Sequence, residues 1–252
     1  MRVAVIAPTA MLEQFAITGF HLALAHQCLV DEKYTQFYKR RAAAGDYVML
    51  DNSAYELGGS VDANVLRDIA EYMRPTAVFL PDIRFNTQAT VEAVLQGIEV
   101  FKGLPVKKFA VPQGRNLREV LECYNFLMEH PAIDGFGFYE EIGEVAGFKD
   151  RATLLRYFED HHLIDTRKHY HLLGMEDQTK AVAELGTFQW IYGIDSAKPV
   201  VYGLHGIAFS TDGPLVPYPH RPKDFFTRTE TEFASIILHN IAMLLKWAQN
   251  GQ

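Results

Sequence analysis

Short apolar runs rich in Val, Ile, Phe and Tyr recur along the chain at intervals of about 30 residues, and each is followed by a stretch with helical spacing. The runs cover residues 3–7, 47–50, 77–80, 108–111, 135–138, 170–173 and 190–194, and an eighth is expected at 206–209. Between them, residues 61–72, 87–101, 117–128 and 151–158 place apolar side chains three and four apart, as a helix laid on a sheet requires. Strands alternating with helices at this interval indicate βαβ units and a parallel sheet. Seven or eight such units leave no room for a second domain, and no linker-like tract interrupts them. The expected fold is α/β: a single (β/α)8 TIM-type barrel over residues 1–252, ending in an amphipathic helix over 230–247.

Polar residues punctuate the strand ends in register. Asp51, Asp82 and Gln113 follow their apolar runs and are spaced 31 residues apart, and Asp195 holds the matching place after run 190–194. In a parallel barrel that place is the C-terminal rim, where loops from different strands converge on one site. A lone Asp after a strand is as often the cap of the next helix. Here Asn52-Ser53 and Ile83-Arg84 intervene before helical spacing resumes, so capping explains Asp51 and Asp82 poorly. Gln113-Gly114 pairs a side-chain amide with a close backbone approach, as suits a flat polar ring. Two carboxylates beside hydrogen-bonding groups suggest glycosyl transfer, one carboxylate attacking an anomeric carbon and the other handling protons.

The net charge of −7 argues against a general nucleic-acid binder, so any nucleic-acid contact is expected from a local basic patch. Arg84, Arg115, Arg118 and Lys198 follow the rim positions and are the candidate phosphate contacts, with Arg221, Lys223 and Arg228 in segment 219–228 as a further patch. Lys39-Arg40-Arg41 precedes a strand and is expected at the opposite end of the barrel. Cys28 and Cys123 stand far apart, which suggests a reducing, cytoplasmic setting and offers no thiolate zinc site. No leader, membrane span or membrane partner is expected. His161-His162 is read as a solvated helix end and the pair His169 and His171 as one strand face, and a carboxylate nucleophile works without a cofactor, so no metal and no cofactor is expected.

The motifs in order resemble those of the tRNA-guanine transglycosylase superfamily. Leu50-Asp51-Asn52-Ser53-Ala54-Tyr55 is similar to its D-S-G-G-F/Y-Q segment, Leu80-Pro81-Asp82 to its substrate-reading Asp, and Val111-Pro112-Gln113-Gly114 to its Q-G segment. His169-Tyr170-His171-Leu172-Leu173-Gly174 resembles its R/H-Y-L-M-G strand. Gly193-Ile194-Asp195-Ser196-Ala197-Lys198-Pro199, followed by the run from Gly203 to Thr211, follows its order of nucleophile, Pro and H/N-G…F-T. The resemblance implies Asp195 as nucleophile at C1′ of a guanine nucleotide and Asp51 as general acid/base. Asp82 would accept from the base's N1 and 2-amino groups, and Gln113 would donate to O6. Tyr55 would stack on one face of the base and Leu173 would cover the other. Ser53, Gly114 and Gly174 belong to the same substrate-binding motifs.

Two departures stand out. Asp134-Gly135-Phe136-Gly137-Phe138-Tyr139 replaces the segment that brings a pair of glycines to the base, leaving Gly137 as the candidate backbone contact. The zinc motif C-x-C-x-x-C…H is absent, so no zinc-binding subdomain is expected. The remaining barrel looks like the phage-type DpdA transglycosylases, which place 7-deazaguanines in DNA. That implies DNA as polynucleotide partner, a 7-deazaguanine base such as preQ0 as second substrate, and a host cytoplasm as the setting. tRNA is the alternative polynucleotide, and a homodimer is left open. Competing readings are a nucleosidase or glycosidase that uses Asp51 and Asp195 with water as acceptor, and a non-catalytic base-binding subunit.

Overall fold

In the computed structural model, which describes residues 1–175, 179–210, 221–229 and 232–249, eight strands belong to one sheet. They are β1 (Arg2–Val5), β2 (Phe20–Leu24), β3 (Tyr47–Asp51), β4 (Ala77–Phe79), β5 (Lys107–Ala110), β6 (Gly135–Tyr139), β7 (His169–Leu173) and β8 (Ile191–Ser196). Their order is β1-β8-β7-β6-β5-β4-β3-β2, and β1 runs parallel to β8, β3 to β4, β4 to β5 and β5 to β6. Parallel strands in sequential order with helices between them form the (β/α)8 TIM-type barrel that the sequence predicts. Thr18 Oγ1 lies 2.8 Å from the carbonyls of both Val3 and Phe20, tying β1 to the start of β2.

The eighth strand is not where the sequence reading puts it. Residues 206–209 form no strand. Gly206 turns the chain at φ +70°, the Phe209 amide donates to Asn240 Oδ1 at 2.7 Å, and Asn240 Nδ2 donates to the carbonyls of Ile207 and Pro199 at 3.0 and 3.1 Å. One buried side chain thus satisfies backbone groups that a sheet neighbour would otherwise serve. The missing strand is β2. All five of its residues are buried, so it carries no alternation. It also follows β1 after only a 3-10 turn, Thr9–Met11, and a four-residue helix, Leu12–Phe15.

The helices follow the apolar spacing closely. They include Ala63–Met73, Thr87–Val100, Leu117–Met128, Arg151–Asp160 and the C-terminal Ala234–Gln249. Leu117–Met128 shows the logic: Asn116 accepts from the Glu119 amide at 3.1 Å as N-cap, and Val120, Cys123, Tyr124 and Leu127 form the buried face. Asn86 caps Thr87–Val100 likewise through the Ala89 amide. Asp82 and Gln113 lie three or four residues ahead of these caps and are released from that duty. Thr211, residues 219–220 of the basic segment and residues 230–231 of the expected last helix lie outside the described residues.

The chain divides into two compact units, Leu22–His171 on one hand and Met1–His21 with Leu172–Gln252 on the other. In the first, Tyr124 packs 4.8 Å from both Phe136 and Phe158, and Phe79 meets Phe109 edge-on at 5.4 Å. In the second, the helix Lys198–Leu204 crosses Ala234–Gln249 closely. A Cβ at Gly203 would stand 2.3 Å from Ile237 Cγ1, and Phe209 stacks on Trp247 at 5.4 Å. None of the described helices is long and apolar enough to cross a membrane.

Candidate active site

Within Leu22–His171 a buried carboxylate sits between two carboxamides. Asn52 Nδ2 donates to Asp82 Oδ1 at 2.7 Å and to the Leu80 carbonyl at 2.8 Å, while Gln113 Nε2 donates to Asp82 Oδ2 at 2.7 Å. Asn52, Asp82 and Gln113 are all nearly excluded from solvent. The remaining atoms of both amides are engaged too: Asn52 Oδ1 accepts from the Ala54 amide and Gln113 Oε1 from the Phe85 amide. Ser60 Oγ clamps the Asp82 backbone, accepting from its N–H and donating to its carbonyl. Burial pushes the Asp82 carboxyl up to about 6, against the opposing pull of Asn52, Gln113 and the Arg84 charge.

Asp51 closes β3 and is buried, with Oδ2 accepting from the Ser53 amide at 2.8 Å. Ser53 holds a left-handed conformation, φ +60°, a costly place for a residue with a Cβ. Its hydroxyl meets both the backbone N–H and Nδ1 of His26, at 3.1 and 2.9 Å, which fixes that turn. Tyr55, two residues on, is 67% exposed, and the Arg84 guanidinium lies 5.5 Å from its ring centroid and 4.9 Å from that of Phe85. Phe85 is also left-handed, φ +59°. Gly137 is buried in the middle of β6. Gly114 has a packing explanation: a Cβ there would stand 2.5 Å from the Val120 amide, so its close approach is to the helix Leu117–Met128.

In the unit formed by the two chain ends, Asp195 lies in β8 opposite Ala4 of β1 and is 5% exposed. The Gly174 amide donates to its Oδ1 at 3.3 Å. Gly174 has φ +78°, a conformation glycine adopts freely, which turns its N–H toward the carboxylate just after Leu173 ends β7. Ser196 Oγ accepts from the Lys198 amide at 3.0 Å, while the helix Lys198–Leu204 has Ala197 at its N-cap, so the aspartate does not serve as its cap.

The basic residues divide sharply. Lys198 is buried and its ammonium donates to the Met175 carbonyl, which holds it inward rather than on the surface. Arg115 is paired with Glu119 at 3.2 Å and Arg118 with Glu122 at 3.9 Å, both on exposed surface. In segment 219–228, Arg228 pairs with Asp224 at 3.1 Å, and Arg221 lies over the Phe225 and Phe226 rings.

Among the described residues no three His, Cys, Asp or Glu side chains cluster as metal ligands do. His169 presents Nδ1 to the Tyr47 hydroxyl and Nε2 to Lys107. Sequence reasoning missed Asn52 and His26 as parts of the site. Asn52 had a signal, standing directly after Asp51. His26 had none, because it follows the unrecognised β2. No known protein-family profile and no curated protein sequence matches the chain.

Proposed function

We propose that the chain is a base-exchanging transglycosylase that removes guanine from a polynucleotide and installs a 7-deazaguanine through a covalent aspartyl-sugar intermediate. The observation that carries this reading is the Asn52–Asp82–Gln113 cluster. A carboxylate buried between two amides, with both oxygens positioned, suits an edge that presents two N–H donors, as the N1 and 2-amino side of guanine does. The resemblance in motif order from Asp51 to Asp195 supports the reaction class.

In the proposed reaction an Asp195 oxygen bonds to C1′ as the C1′–N9 bond breaks, and protonated Asp51 delivers its proton to the departing base. The incoming base then loses its N9 proton to Asp51 and attacks C1′, and the Asp195 carboxylate leaves. The Gly174 N–H supports this role by keeping one Asp195 oxygen oriented. The reading requires that Asp51 and Asp195 act on the same sugar, and DNA is its proposed polynucleotide. The target nucleotide must then be flipped or single-stranded, since C1′ in a stacked duplex is out of reach.

The test is exchange of labelled guanine out of single-stranded DNA, duplex DNA and tRNA, with a denaturing gel for the adduct. Wild-type protein should form a denaturant-resistant adduct that free base dissolves, and Asp195→Ala should lower exchange on the order of 10^4-fold without loss of fold. Base release without incorporation would point instead to a nucleosidase. Base binding with neither release nor adduct would leave a binding subunit. An active Asp195→Ala enzyme would remove the mechanism altogether.

A further inference from the structure

Tyr139, the last residue of β6, has a half-buried ring and a fully buried hydroxyl to which no described residue offers a hydrogen bond. A buried polar group without a partner costs free energy, so its retention calls for a reason. Its position supplies one. Phe136 and Phe138 of β6 pack on Tyr124 and Phe158 of the surrounding helices, so alternation turns Gly135, Gly137 and Tyr139 to the opposite face of the sheet. The two glycines place no side chain on that face before Tyr139. β5 pairs with β6 up to Ala110 opposite Phe136, and Gln113 and Tyr139 each lie three residues beyond that pair in sequence. Asp82 and Arg84 are close enough for their charges to bear on the phenol. Arg151, wholly buried, donates to the Phe138 carbonyl at 2.8 Å and fixes the backbone from which Tyr139 projects.

We propose that the Tyr139 hydroxyl is the hydrogen-bond donor that reads the 6-oxo group of the base held at Asp82, and that Gln113 is a positioning residue for Asp82. This rests on the base-exchange reading. The amide of Gln113 is anchored at both ends, its oxygen by the Phe85 N–H and one of its two N–H donors by Asp82, which fixes its plane. Tyr139 has no such commitment. Burial, with Glu141 next in effect, holds the phenol above its ordinary range, so it stays protonated and donates to a carbonyl. A 6-oxo-2-aminopurine or its 7-deaza form then meets the carboxylate with its two donors and the phenol with its acceptor.

The experiment compares calorimetric binding of 7-deazaguanine and of its 6-deoxo analogue, 2-amino-7-deazapurine, to wild-type protein, Tyr139→Phe and Gln113→Leu. The analogue also lacks the N1 proton, but that difference is common to all three proteins and cancels in the comparison between them. Tyr139→Phe should weaken 7-deazaguanine roughly tenfold, leave the analogue unchanged, and keep or raise Tm because an unsatisfied hydroxyl has gone. Gln113→Leu should instead move upward the pH above which 7-deazaguanine binds, since Asp82 is deprived of a donor that favours its charged form. Equal affinity of wild type and Tyr139→Phe for 7-deazaguanine, or a lowered Tm in that variant, would overturn the assignment and leave the base-exchange reading standing. So would loss of 6-oxo discrimination in Gln113→Leu alone. Failure of wild-type protein to bind 7-deazaguanine at all would overturn the base-exchange reading, and this inference with it.

Discussion

A carboxyl group enclosed by protein keeps its proton to higher pH than one in water, and Asp82 makes that property measurable. Its pKa rises from 3.8 to about 6 on folding, burial being the cause. Between those values the native state binds more protons than the unfolded chain, so stability falls as pH rises from about 4 to 6. The whole effect is on the order of 3 kcal/mol. Asp82→Asn should flatten that slope in denaturant titrations. At pH 4 the variant should be the less stable by about 1–3 kcal/mol, because its new NH2 opposes the donor of either Asn52 or Gln113. The deficit should narrow by pH 7. Ligand binding runs the other way: a base that donates two N–H groups needs the carboxylate, so its affinity for wild-type protein should rise as pH passes 6. An unchanged pH slope in the variant would show that Asp82 ionises as it would in water.

At the scale of elements, the joint between Lys198–Leu204 and Ala234–Gln249 depends on two side chains. Asn240 satisfies the Phe209 amide and the carbonyls of Pro199 and Ile207. Asn240→Leu would leave three buried backbone groups without that partner and should cost about 3 kcal/mol, read as a lowered denaturation midpoint. Gly203→Ala should cost roughly 1–3 kcal/mol by forcing its Cβ against Ile237. This joint also marks the limit of what the sequence tells. Strands at regular intervals were legible, because each crossover helix is long enough to repeat the pattern. The short connection before β2 broke the rhythm, and the uniform burial of Phe20–Leu24 erased its alternation. Phe209 looked like a strand residue because its apolar neighbours are the same whether a sheet or Asn240 satisfies the backbone. The strand-end positions of Asp51, Asp82 and Gln113 were legible from their 31-residue spacing, and that of Asp195 from the apolar run before it. The amide clamp on Asp82 and the buried Tyr139 hydroxyl were not, since each depends on the meeting of residues about 30 or more positions apart.

For the molecule as a whole, the net charge of −7 and the pairing of Arg115 and Arg118 with glutamates leave few cations to meet phosphates. Polynucleotide affinity should therefore be modest. Removing one cation that meets a phosphate should reduce the steepness of log K against log salt by about 0.9. Arg84→Gln should reduce it by about one such step, and Glu119→Gln, which frees Arg115, should raise it by one. Fluorescence titrations of single-stranded DNA across a salt series would read both, and an unchanged slope in Arg84→Gln would show that Arg84 meets no phosphate. The pairing of β1 with β8 bears on how the molecule comes into being. Arg2 lies opposite Gly193, a separation of 191 positions, whereas Leu22–His171 is continuous. During synthesis β1 leaves the ribosome before β8 and waits for it, while the continuous segment Leu22–His171 can collapse on its own. Pairings so distant in sequence form slowly. The strand that carries Asp195 therefore gains its edge partner among the last steps of folding, and a nascent chain holds Asp51, Asp82 and Gln113 well before it holds Asp195.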